Sequence, residues 1–229
     1  MTSREKIFNL PGVIVTLVAG LAMVHGLREY GLTDEQDAEL LRRFAFTPGR
    51  FTYLFDPDGV ADSFARFDPR RAEAASEAAK FFLGDGRPQW WTVLTYAALH
   101  ADWLHVGVNS LWLAAFGTPV ARRFGAARFL ALFAVTAIAG ALAHYVLHRF
   151  DLNPVVGASA AVSGAMAAAC RFVFQPDAPL GSGFSFGSGD EAAYRQPALP
   201  ISRVLTNGRT MPFIVIWFAV NFQIGRAHV

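Results

Sequence analysis

At 229 residues, with 53% hydrophobic and only 17% charged residues and a mean hydropathy of +0.32, the chain lies outside the usual composition of a soluble domain and reads as one polytopic integral membrane protein. A net charge of +2 is too small to argue for a nucleic-acid partner. The single cysteine, Cys170, excludes an intramolecular disulfide.

Residues 1–27 read as a cytoplasmic N-terminus followed by a first span. Arg4 and Lys6 precede an apolar run, residues 10–27, long enough to cross hydrocarbon, and basic residues before a first span favour the cytoplasmic side. The run outlasts a signal peptide and lacks a small-residue cleavage site. His25, near its far end, is expected to be a wetted helix end. Residues 28–89 are a long extracytoplasmic loop: an amphipathic helix over 34–43, an aromatic run over 44–55 broken by Pro48-Gly49, and a surface helix over 70–80. The aromatics suggest a segment lying partly in the membrane interface.

Residues 90–174 carry three spans. Trp90-Trp91 forms an interfacial belt, and the second span, 93–116, holds His100, Asp102, His105 and Asn109. Polar side chains at membrane depth are costly and face a cavity or a partner. Arg122, Arg123 and Arg128 crowd a short loop, which the positive-inside rule places in the cytoplasm. The third span, 129–147, ends at His144 and His148 on the outer side. Asn153-Pro154 then opens a fourth span, 155–174, built almost wholly of Gly, Ala, Ser and Val at its start. Small residues let helices approach closely in a bilayer. Ser159 and Ser163 lie four apart on one face, and back-bonding to their own carbonyls is the bland account of both. Residues 175–210 read as a flexible cytoplasmic loop with a Gly/Ser-rich core at 181–189. Residues 211–222 begin a fifth span about half the length a bilayer needs. The ending, Ile224-Gly225-Arg226-Ala227-His228-Val229, matches one translation frame of a common sequencing adapter. Residues 211–229 are therefore expected to be the start of a fifth span with a foreign tail.

Counted through the loops, Ser159 enters its span from the outer side, where His105 and Asn109, four apart on one face, also lie. A serine attacking an amide needs a base and donors for the oxyanion, and His plus Asn can supply donors. The spacing His100-x4-His105-x3-Asn109, followed by Phe116-Gly117, resembles the second transmembrane helix of the rhomboid family of intramembrane serine proteases. Gly157-x-Ser159, with Gly164 after it, resembles that family's nucleophile helix. The resemblance spans roughly residues 90–174.

What it implies is an all-α, polytopic membrane helix bundle of the rhomboid type, here lacking the end of the fifth span and the sixth. Ser159 then corresponds to the nucleophile, and His105 and Asn109 to the oxyanion donors. His100, Gly157 and Gly164 correspond to motif-supporting positions. The family's base is a histidine on the sixth span, so His228 is not expected to serve and this chain alone is expected to be inactive. One departure is Ala160, where the family usually has glycine; it sets a methyl group beside the expected oxyanion pocket. The resemblance implies transmembrane protein substrates, a lipid bilayer, no cofactor, and the bacterial inner membrane. Two other readings stay open: a proteolytically inactive relative that binds transmembrane segments, and a metal-handling protein using His100, Asp102, His105, His144 and His148.

Overall fold

The computed structural model describes residues 10–64, 72–175, 178, 194–195, 197–208 and 210–227. Arg4, Lys6, the 181–189 core and His228 lie outside the described residues. Within them the architecture is helical, with one isolated antiparallel bridge between Phe46 and Val155.

The first helix, α1 (Gly12–Gly31), and the later α9 (Ala126–Leu147) are long and apolar enough to cross a membrane. Between them the chain first builds four helices of the 28–89 loop: α2 (Asp34–Phe44), α3 (Pro48–Tyr53), α4 (Pro57–Phe64) and α5 (Ala72–Leu83). Local chemistry explains the start of α2. The Thr33 hydroxyl accepts from the Gln36 amide while the Gln36 side chain accepts from the Thr33 amide, and the ends carry acids first and arginines last. The loop is fastened to the connection after α9. Phe46 and Val155 exchange backbone hydrogen bonds of 3.1 and 2.8 Å, and the Gly49 amide donates to the Asp151 carbonyl at 2.7 Å. A side chain at Gly49 would run into Leu152 and the Asp151 carbonyl, so glycine is what permits this approach. Arg50, buried, ties the loop together through the Arg87 and Arg42 carbonyls and Asp85.

The expected second span, 93–116, is not one helix. A short α6 (Thr92–Thr95) runs into a tight turn at Tyr96–Ala98, and the chain is extended at Leu99 and at Asp102. Only then does α7 (Trp103–Trp112) begin, because the Asp102 carboxylate caps it by accepting the His105 amide at 2.7 Å. His100 and Asp102 thus precede the helix, and Asp102 serves as its N-cap. A π-helical turn, Leu113–Gly117, carries α7 into α8 (Thr118–Phe124). Pro119 lacks an amide hydrogen and its ring crowds the carbonyl four residues back; the wider turn absorbs both. Gly125, at φ +82°, ends α8 and lets α9 start at the next residue.

The fourth span is likewise shorter than expected: α10 is Ser159–Cys170, and 155–158 enter it as irregular chain. It runs antiparallel to α9, with Ala160 opposite Gly140 and Gly164 opposite Thr136. A side chain on either glycine would overlap its partner, which is the close approach that small residues allow inside a bilayer. The main core lies among α1, the α7–α8 rod, α9 and α10, centred on Ile14, Leu113, Phe116, Phe129, Val162 and Met166. After α11 (Ile201–Leu205), α12 (Thr210–Ala227) runs past Phe222, further than the expected stop.

Candidate active site

Ser159 is the first residue of α10 and is exposed. Its amide belongs to the first turn, where N–H groups have no intrahelical acceptor and the helix dipole favours negative charge. With 12 residues, α10 is about 18 Å long, shorter than a hydrocarbon thickness of about 30 Å. Ser163 is accounted for by the bland reading: its hydroxyl donates to the Ser159 carbonyl at 2.6 Å.

The turn that delivers Ser159 is held by residues 96–100. The Gly157 amide donates to the Tyr96 carbonyl at 3.0 Å, and the Ala158 amide donates to His100 Nε2 at 3.5 Å. Accepting at Nε2 puts the His100 proton on Nδ1. Tyr96 is itself anchored, its hydroxyl donating to the Ala137 carbonyl of α9 at 2.8 Å. Gly157 sits at φ +122°, and a Cβ there would lie 2.8 Å from both Cε1 and Nε2 of His105. The His105 imidazole therefore lies against the backbone two residues before Ser159. It also meets the His100 ring edge-on, with centroids 4.9 Å apart. Asn109, one turn further along α7 and buried, donates from Nδ2 to the His105 carbonyl at 3.0 Å. The His105 ring and Gly157, one from each motif, are thus in contact, with Ser159 two residues further along the chain.

These two motifs sit within a single matched domain. The family model described as Rhomboid domain matches residues 87–225. The chain belongs to the rhomboid family. It is similar to the Rhomboid protease GluP of Bacillus subtilis, 38% identical over 80 residues, covering 35% of this chain and 15% of that protein. It is also similar to the Putative rhomboid protease YdcA of the same organism, 37% identical over 82 residues, covering 36% and 41%. The Rhomboid protein 1, mitochondrial, of Saccharomyces cerevisiae is 35% identical over 75 residues, covering 33% and 22%. The aligned stretches are less than half of each relative's own length. With the family goes an integral membrane protein of all-α, rhomboid-type architecture.

In this rhomboid, the surroundings of Ala160 are defined and the expectation for His25 needs correction. The Ala160 methyl faces Gly140 of α9, so it is seated in the helix seam. His25 is not wetted: it is buried, packs edge-on against Trp103 with centroids 4.8 Å apart, and neither ring nitrogen has a hydrogen-bond partner among the described residues. His144 and His148 stack on each other at 4.5 Å, and among the described residues no three His, Cys, Asp or Glu side chains are grouped to hold a metal ion. Sequence reasoning missed Tyr96, Arg28 and Gly140. Tyr96 and Gly140 give no local signal, whereas a charged Arg28 closing an apolar helix, nine residues before Asp37, was readable.

Proposed function

We propose that the protein is an intramembrane serine endopeptidase that cleaves transmembrane protein substrates near the membrane surface, with Ser159 as nucleophile. The observation that carries this reading is the contact of the His105 ring with Gly157, which brings the polar face of α7 to the start of α10. Ser159 Oγ attacks the scissile carbonyl carbon, and its proton passes to the dyad histidine, which the family resemblance places on a sixth span. The carbonyl oxygen becomes an oxyanion that His105, Asn109 and the Ser159 amide stabilise, a contribution of about 10²–10³ in rate per donor in comparable sites. Collapse of the tetrahedral intermediate breaks the C–N bond, and the same histidine returns the proton to the leaving amine. Water then hydrolyses the acyl-enzyme.

The same reading supplies the orientation. Arg122 and Arg123 stand at the end of α8, at the far end of the rod from Asp102, which favours a cytoplasmic α8 end and an outward-facing site. The N-terminus is then cytoplasmic and the membrane a bacterial inner membrane. The test uses the complete product of the gene in proteoliposomes with a transmembrane substrate and a fluorophosphonate probe. Cleavage and labelling are expected for the wild type and absent for Ser159→Ala. Cleavage that persists in Ser159→Ala removes the assignment, and a wild type that binds the substrate without cutting or labelling favours the inactive relative.

A further inference from the structure

The last turn of α1 contains a buried arginine that the proposed chemistry does not use. Arg28 pairs in a two-pronged fashion with Asp37 of α2, Nε to Oδ1 at 2.6 Å and Nη2 to Oδ2 at 3.0 Å. Its remaining nitrogen, Nη1, donates to the His100 carbonyl at 2.6 Å. Such a planar fork satisfies a carboxylate with two donors and leaves a third free to aim elsewhere. Here the third is spent on a backbone oxygen in the gap between the Tyr96–Ala98 turn and α7, where the chain is not helical and a buried carbonyl needs a donor from outside.

That gap is the segment from which Ser159 is hung. Tyr96 and His100 accept the successive amides of Gly157 and Ala158. Asp37, Arg28, the His100 backbone, the His100 ring and the Ala158 amide form one continuous chain of contacts, from the extracytoplasmic loop to the residue before the nucleophile. We propose that Arg28 is a positioning residue: clamped by Asp37, it fixes the His100 segment and through it the Gly157–Ser159 turn. The proposal rests on the reading of Ser159 as nucleophile only for its catalytic consequence; the mechanical consequence stands apart from it. Removing the guanidinium strands both the Asp37 carboxylate and the His100 carbonyl, so residues 96–100 lose their outer tether while α1 keeps its apolar packing. Misplacement of a reacting group by about 1 Å is enough to cost about 100-fold in rate.

The experiment compares wild type with Arg28→Met, Arg28→Lys and Asp37→Asn, each as the complete gene product in proteoliposomes. Amide exchange is followed at residues 155–162 and in α9, alongside fluorophosphonate labelling of Ser159 and kcat and KM for a transmembrane substrate. In Arg28→Met, exchange at Gly157 and Ala158 is expected to accelerate by about tenfold with α9 still protected. Labelling and kcat fall by about tenfold or more while KM stays within about twofold, the pattern of a misplaced nucleophile. Arg28→Lys, which keeps the charge and loses the fork, lies between; Asp37→Asn shifts in the same direction. If Arg28→Met loses α9 protection as well, the two milder variants carry the test. Unchanged exchange at Gly157 and Ala158, with α2 alone loosened, overturns the proposal and leaves Arg28 as a staple between α1 and α2. Faster exchange in Arg28→Met with a wild type that never labels sustains the positioning role and sinks the protease reading instead.

Discussion

The methyl group of Ala160 lies against Gly140, so the residue after the proposed nucleophile is locked into the α9–α10 seam. One helix supplies the bulk and the other the gap, and exchanging the two should preserve the fit. Gly140→Ala alone sets two methyl groups in one place and is expected to destabilise by about 1–3 kcal/mol, the usual cost of overpacking. Ala160→Gly leaves a small void and adds backbone freedom, about 1 kcal/mol. The double variant should recover most of the Gly140→Ala loss. Thermal unfolding in detergent measures all four corners, and strictly additive effects would mean that the two positions do not meet.

Gly157 combines a positive φ with a ring packed where its side chain would be. Gly157→Ala is therefore expected to cost about 1–3 kcal/mol in strain and to push His105 off the turn. Gly125 has φ +82° with open space around it. Gly125→Ala carries a similar strain without touching the site. Labelling of Ser159 should collapse in the first variant and persist in the second, relative to the folded fraction of each. Equal loss in both would show that His105 contact is irrelevant to Ser159.

How far the sequence carried the reading depends on how local each signal was. The 34–43 helix was legible because its cap, its end charges and its apolar face lie within a dozen residues. His105 and Asn109 stand out in the sequence because polar residues in apolar runs are costly enough to demand a reason, whereas Ser159 in its small-residue run stands out only beside them; their joint role is a proposal. The break at 99–102 was not, since hydropathy cannot tell an intramembrane helix from a capped loop at the same depth; only the Asp102 carboxylate on the His105 amide reveals it. The seating of Ala160 on Gly140 joins positions 20 apart, and no periodicity within either helix encodes that register. The fastening of the 28–89 loop through Phe46, Gly49 and Thr52 is non-local in the same way.

The loop's ion pairs give a pH dependence of definite sign. Asp85 is held below its ordinary range, first by the Arg87 amide and then by Arg50 and Arg87; Glu39 is lowered by its hydrogen bonds with Arg42. A carboxylate with a depressed folded pKa contributes stability that is present above its unfolded value and lost as the pH falls through the folded one. Both groups are solvent-exposed, so the effect is local and small. Amide exchange in residues 42–55 and 84–88 should therefore be flat from about pH 7 to 5, after correction for intrinsic rates, and rise below about pH 4. Asp85→Asn should remove part of that rise. A rise between pH 7 and 5 would assign the loop's anchoring to a histidine instead.

His25 offers the last test, because its burial runs against its chemistry. Both imidazole nitrogens are enclosed and lack hydrogen-bond partners among the described residues, while the ring packs edge-on against Trp103. A buried polar group without a partner costs about 1–3 kcal/mol relative to a satisfied one. Phenylalanine keeps a perpendicular aromatic ring beside Trp103 and has no polar atoms to desolvate, though its ring is slightly larger. If shape is what the site selects, His25→Phe should raise the unfolding temperature and leave Ser159 labelling unchanged. His25→Ala should lower it, since the α1–α7 seam would lose a ring beside Trp103 and gain a void. A drop in stability for His25→Phe comparable to that for His25→Ala would show that the imidazole nitrogens themselves are used, and that His25 belongs with His100 and His105 as a functional group.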